Sequence, residues 1–122
     1  MRGQRDRGAA MVELALVLPV LVLLLVGIVE AGRAYGANVA LQGAARDGAR
    51  LAALGSPSAD VQAAVYATAG PADVVAVMVT GCAGGGSGQA AVQVQAQHTW
   101  RLPFLDLGVT TLNATARMPC EM

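Results

Sequence analysis

The sequence predicts an α+β chain: one long N-terminal helix, transmembrane in its first half, packed on a small antiparallel three-stranded sheet. Three observations carry the prediction. From Leu14 to Val29 there are sixteen consecutive uncharged residues, interrupted in character only by Pro19 and Gly27. From Ala31 to Leu54 the chain is rich in Ala and free of Pro. From Ala90 to Arg101 apolar and polar residues alternate, with Val92, Val94, Ala96, His98 and Trp100 on one face and Gln93, Gln95, Gln97, Thr99 and Arg101 on the other. A period of two is that of a half-buried strand.

The first element is set by the membrane. Counted from Ala9, the apolar stretch is twenty-one residues broken only by Glu13. At 1.5 Å per residue it reaches roughly 30 Å, the hydrocarbon thickness of a bilayer. Residues 1–8 carry three Arg against one Asp, and positive charge before a span places that end in the cytoplasm. The division that follows is a basic cytoplasmic leader over 1–8, a transmembrane helix over 9–30, a helix extension over 31–55, and an exported small α+β domain over 56–122. A cleavable secretory signal is the rival, with small residues near Gly32 as its cut site; the apolar run is long for that role.

Glu13 is the odd residue in the span. A carboxylate there costs a few kcal/mol even on lenient insertion scales, so it has a partner, has a function, or reaches headgroup water from near the interface. Its setting is specific: basic residues, then Gly8, then Ala9-Ala10-Met11-Val12-Glu13, then the apolar run. This resembles the processing site of type IV prepilins. More closely, Arg7 to Pro19 resembles the start of TadE-like proteins, minor pilin-like components of the Tad (tight adherence, Flp) pilus system. The resemblance continues through Gly27 to Arg33 and Ala44 to Arg50, and returns weakly at Leu102-Pro103-Phe104 and Met118 to Glu121. Relatives often carry an aromatic residue directly after the Glu, where this chain has Leu14.

The resemblance implies cleavage between Gly8 and Ala9 by a membrane-embedded prepilin peptidase, followed by work in pilus assembly. It also implies the partners: other pilin-like subunits, the Tad inner-membrane machinery and the lipid bilayer. The place it implies is the bacterial cytoplasmic membrane, single-pass, with the C-terminal domain outside and the pilus or cell surface as a further destination. Cutting after Gly8 would create an ammonium at Ala9, one helical turn from Glu13. In an assembly the Glu13 carboxylate of one subunit would pair with the Ala9 ammonium of a neighbour, because an unpaired charge in that setting is costly.

Beyond the span, Asn38, Gln42, Arg46 and Arg50 recur every four residues as one polar stripe,. Opposite them Ala34, Ala37, Leu41, Ala44, Gly48 and Leu51 form a seam of mostly small residues. Such a seam permits close approach of another helix, or of the chain's own C-terminal domain. Gly32, Gly36 and Gly43 each cost about 1 kcal/mol against Ala in a helix interior, which marks Gly32–Gly36 as a place for a break. The helix from about Ala9 should stop near Gly55, before Ser56-Pro57.

In the remainder, Ser58 is positioned as N-cap of a short helix reaching about Ala69, which Gly70-Pro71 ends. Asp73 to Thr80 is a Val-rich strand, 83–88 a flexible turn, Ala90 to Arg101 the second strand, and Val109 to Met118 the third, with Leu112, Ala114, Ala116 and Met118 on one face. Cys82 follows the first strand and Cys120 the third. In an exported domain they would form a disulfide, and in a reducing cytosol they would stay two unrelated thiols.

Composition excludes other classes. Charged residues make up 13% of the chain and balance to a net charge of zero, so there is no electrostatic footprint for nucleic acid. The lone histidine, His98, shares a strand face with Val94 and Trp100 and is expected to pack there, partly buried. No nucleophile, carboxylate pair or metal-ligand spacing surrounds it, so no catalytic residue, cofactor or metal is expected. The glycines of 83–88 lack the Lys-Ser/Thr of a phosphate loop. The expectation is therefore a non-enzymatic pilin-like subunit. The alternatives are an uncleaved single-span scaffold of a pilus or secretion machine, and a secreted binding domain released by signal peptidase.

Overall fold

The computed structural model describes residues 2–70, 72–82 and 88–120. Helix α1 runs over Arg2–Ala53, α2 over Ser58–Thr68, and strands β1, β2 and β3 over Asp73–Thr80, Gln89–Leu102 and Leu105–Pro119. The strands form one antiparallel sheet in the order β1-β2-β3. The predicted α+β architecture is the one observed. The expected turn at 83–88 lies, for residues 83–87, outside the described residues, as do Pro71 and Glu121.

Helix α1 is 52 residues long, about 78 Å at 1.5 Å per residue. It departs from expectation at its start, which is Arg2 rather than about Ala9, and it has no break at Gly32–Gly36. Each glycine removes about 1 kcal/mol of local preference, less than the cost of opening a hydrogen-bonded turn in a helix held on both sides. Pro19 also stays inside the helix, as proline does in apolar spans where neighbouring geometry absorbs the missing donor. The C-terminus is sharp. Gly55 adopts φ +83°, its N–H donates to Ala52 O, and the Ser56 N–H donates to Leu51 O. That pair of bonds is the Schellman arrangement, which needs a left-handed residue best supplied by glycine.

Ser58 is the first residue of α2 and not its cap. The cap is Pro57, whose carbonyl accepts from the N–H groups of Asp60 and Val61, and no side chain caps the helix. The third strand begins four residues earlier than expected. Gly108 has φ +87° and sits where the β2–β3 register shifts, between the Thr99↔Val109 and Arg101↔Asp106 pairs. The shift inserts one extra residue on β3, a bulge that interrupts the alternation and hides the first part of the strand. The two strands close through Pro103 and Phe104.

Both helices cover one face of the sheet. The core is built from Leu41, Ala44, Ala45, Ala49, Val61, Val65, Val92, Val94 and Ala96, with smaller residues between them and no aromatic ring. The opposite face presents Gln93, Gln95, Gln97, Asn113 and Thr115 to solvent. Gly48 is a point of close approach between α1 and the core. A Cβ placed on it would lie 2.6 Å from Val65 Cγ2 and 3.4 Å from Val92 Cγ1. Cys82 and Cys120 are joined as a disulfide with Cα atoms 5.9 Å apart. They follow the two outer strands, so the bridge passes just ahead of β2 at Gly88, whose carbonyl accepts from the Cys120 N–H at 2.9 Å.

Candidate functional site

The apolar half of α1 projects beyond the sheet. Helix α1 is long and apolar enough to cross a membrane, and its most apolar stretch is not buried at all. A core helix of a globular protein would be covered along such a stretch; here Leu14, Leu18, Leu21, Leu25 and Val29 are all exposed. The residues of the expected processing site lie at its start. Gly8, Ala9 and Glu13 are exposed on continuous helix, and no atom would meet a Cβ at Gly8 within 4 Å. Glu13 has no ion-pair or hydrogen-bond partner among the described residues. Ala9 and Glu13, four positions apart, share one helix face.

The seam has a different fate along its length. Ala37, Leu41, Ala44 and Gly48 are buried, Ala34 and Leu51 half-buried, and the cover is the chain's own sheet and α2. From Ala37 onward, then, the seam is occupied within the chain and is not a surface for another subunit's helix. Its small residues serve the close helix–sheet contact at Gly48. The polar stripe opposite remains outside: Gln42, Arg46 and Arg50 are exposed and Asn38 is half-buried.

Glu30 is the residue whose importance the sequence concealed. It ends the apolar run, and it is the one buried charged residue among those described, at 5% exposure. Its Oε2 accepts from Arg33 at 3.3 Å. Its Oε1 accepts from the backbone N–H of Arg101 at 3.4 Å and lies 3.3 Å from His98 Nε2. The His98 contact is close in distance but lacks hydrogen-bond geometry, which leaves Nε2 as a buried nitrogen without a bonded partner. The His98 ring in turn meets the edge of Trp100, with centroids 4.9 Å apart, and Trp100 Nε1 donates to Thr110 Oγ1 at 2.7 Å. His98 is thus a packing residue, as expected, but one set against a carboxylate 68 positions earlier in the chain.

This cluster fixes the direction of the β2–β3 hairpin. Strand β2 descends α1 from the core at Gly48 to Glu30, and the hairpin end continues past it. Leu102 and Pro103 share a groove of about 430 Å³ with Leu25, Val26 and Val29 of the helix, and Arg33 and Arg101 also line it.

A family model described as TadE-like protein matches residues 8–50. The TadE-like resemblance read from the sequence is thereby shown for that stretch. The match lies wholly within α1; it starts at Gly8 and takes in Glu13, Glu30 and most of the seam. No curated protein and no solved structure matches the chain.

Proposed function

We propose that this chain, TadE-like over residues 8–50, is a minor pilin or pseudopilin that takes part in assembling a Tad-type pilus after a prepilin peptidase cuts between Gly8 and Ala9. The observation that carries the reading is the spacing of Gly8 and Glu13 ahead of an apolar helix that the chain's own fold leaves uncovered. The match supports a Tad-pilus-related protein, and the uncovered helix supports a single membrane span. The Arg-rich residues 1–8 favour the cytoplasmic side for the N-terminus, and the sheet domain then lies outside, in the oxidising space where a Cys82–Cys120 bridge persists.

The role is structural, with partners in the bilayer: the peptidase, other pilin-like subunits and the Tad membrane machinery. The one histidine packs between Glu30 and Trp100, a place that supports architecture. Release by signal peptidase near Gly32 fits poorly, because a cut there would separate Glu30 from the His98 and Arg101 contacts that the folded domain makes with it.

The test is the intact mass of the membrane-extracted protein from cells with and without the cognate peptidase. Loss of residues 1–8 only when the peptidase is present is the expected result. A full-length mass in both cases would overturn processing and leave an uncleaved single-span scaffold.

A further inference from the structure

We propose that the tip of the β2–β3 hairpin is a second membrane contact. Phe104 and Leu105 would enter the interface of the leaflet on the domain's side, and Arg33 and Arg101 would stand at the level of the lipid phosphates. The inference rests on reading the apolar half of α1 as a membrane span.

Depth is the first argument. Glu30 ends the apolar run and so marks the edge of the hydrocarbon. The hairpin does not stop at Glu30: Leu102 and Pro103 face the helix at Leu25 and Val26. Those residues lie four to five positions further into the span, about 6–8 Å at 1.5 Å per residue. A hairpin end held beside that part of α1 is carried below the membrane edge whenever the helix is inserted.

The chemistry of the tip matches that position. Phe104 is 93% exposed, and Leu105, Leu107 and Val109 are also exposed. Leu105 pairs across the hairpin with Leu102, so both project from the same sheet face, the one turned toward α1. In water this would be an uncovered apolar end on a small domain; beside a span it is continuous with the lipid-facing surface of Leu25 and Val29. Tryptophan and tyrosine are enriched at the boundary between headgroups and hydrocarbon, and phenylalanine is among the apolar residues that interfacial segments bury there. Phe104 and Trp100 lie at this end of the sheet, and Tyr35 is on α1 one to two turns beyond Glu30. Arg33 and Arg101 line the same groove as the apolar Leu25, Val26 and Val29, a neighbourhood of cations and apolar side chains that suits a phosphate over acyl chains. Asp106 limits the depth: it pairs in register with Arg101 and accepts from the Gly108 N–H at 3.2 Å, and a carboxylate carried deeper would be costly. The seat is therefore shallow.

Trp100 is the sole tryptophan, and the experiment uses it in the full chain reconstituted into phosphatidylcholine vesicles with lipids brominated near the headgroup or near the chain end. Trp100 emission should be quenched more by the shallow bromines. In a Trp100→Phe background, Phe104→Trp should be quenched more strongly still, again with the shallow preference, and should keep that quenching on dilution with lipid. In the same background Val20→Trp reports the span itself and should favour the deep bromines. If position 20 is quenched and neither position 100 nor 104 is, the hairpin contact is wrong while the span stands. If position 20 is not quenched, the span reading fails and this inference falls with it. If position 104 is shielded from water without bromine quenching, and the shielding disappears on dilution with lipid, the tip binds a second copy of the chain and the lipid contact is overturned.

Discussion

At the scale of single residues, two glutamates bracket the apolar run, and the chain treats them differently. Glu30 is satisfied inside the protein by Arg33 and the Arg101 N–H, with His98 Nε2 3.3 Å away. Removing it as Glu30→Ala leaves the Arg101 N–H without its acceptor and His98 without its charged neighbour, and an unsatisfied buried group costs about 1–3 kcal/mol. We expect guanidinium unfolding in micelles, followed by Trp100 emission, to move to lower denaturant by that amount, and Glu30→Gln to move less because an amide oxygen still accepts. An unchanged midpoint for Glu30→Ala would show that the cluster contributes nothing. Glu13 has no such partner among the described residues, which fits a partner supplied by an assembly or by headgroup water. If it pairs with a neighbour's Ala9 ammonium, Glu13→Gln should be inserted into the membrane normally but incorporated poorly into the pilus complex, as read by co-purification of the other subunits. Equal incorporation would reject the pairing. Glu13 is legible because its meaning lies in local spacing. Glu30 is not, because a charge at the end of an apolar run beside Arg33 reads as a boundary marker, and its contacts with His98 and Arg101 come from some seventy positions later on β2.

At the scale of elements, legibility followed periodicity. Strand β2 is legible to within one residue of each end because its alternation against a single covered face is unambiguous,, whereas β1 at Asp73–Thr80 is legible from its Val content,. The early part of β3 is hidden in the sequence because the bulge at Gly108 shifts the phase. The seam is legible as a stripe of small residues, but periodicity alone does not say what covers a stripe, and the cover here is the chain's own sheet and α2. Gly48 makes that cover testable. Gly48→Ala would set a methyl against Val65 Cγ2, and Val has little rotamer freedom with which to yield. Overpacking of this kind costs about 1–3 kcal/mol. In a Val65→Ala background the same substitution should be neutral or slightly stabilising, since Ala gains about 0.5–1 kcal/mol over Gly in a helix. Additive effects in that double-mutant cycle would mean that Gly48 is not held by the close approach to α2.

At the scale of the whole molecule, the domain is fastened at both ends. Beside the apolar half of α1 the Glu30 cluster ties β2 to the helix, and at the far end the Cys82–Cys120 bridge joins the ends of the outer strands close to the end of α1, with Cys82 Sγ 3.9 Å from Ala53 O. Between them lies a core of Ala, Val and Leu with no aromatic residue, the kind of small core that needs a staple. The two cysteines are 38 positions apart, and closing a loop of that length in the unfolded chain is worth about 3–4 kcal/mol in the chain-entropy model. Reductant should therefore lower the unfolding midpoint of the sheet domain more than any single substitution discussed above. The same bridge reports topology. If the domain lies outside the cytoplasm, thiol trapping during cell lysis should find Cys82 and Cys120 inaccessible to maleimide until a reductant is added. Finding both thiols free at lysis, in cells whose other exported disulfides are intact, would place the domain on the reducing side. The N-terminus would then be outside, out of reach of a cytoplasm-facing peptidase, and the proposed processing at Gly8 would lose its basis together with the orientation.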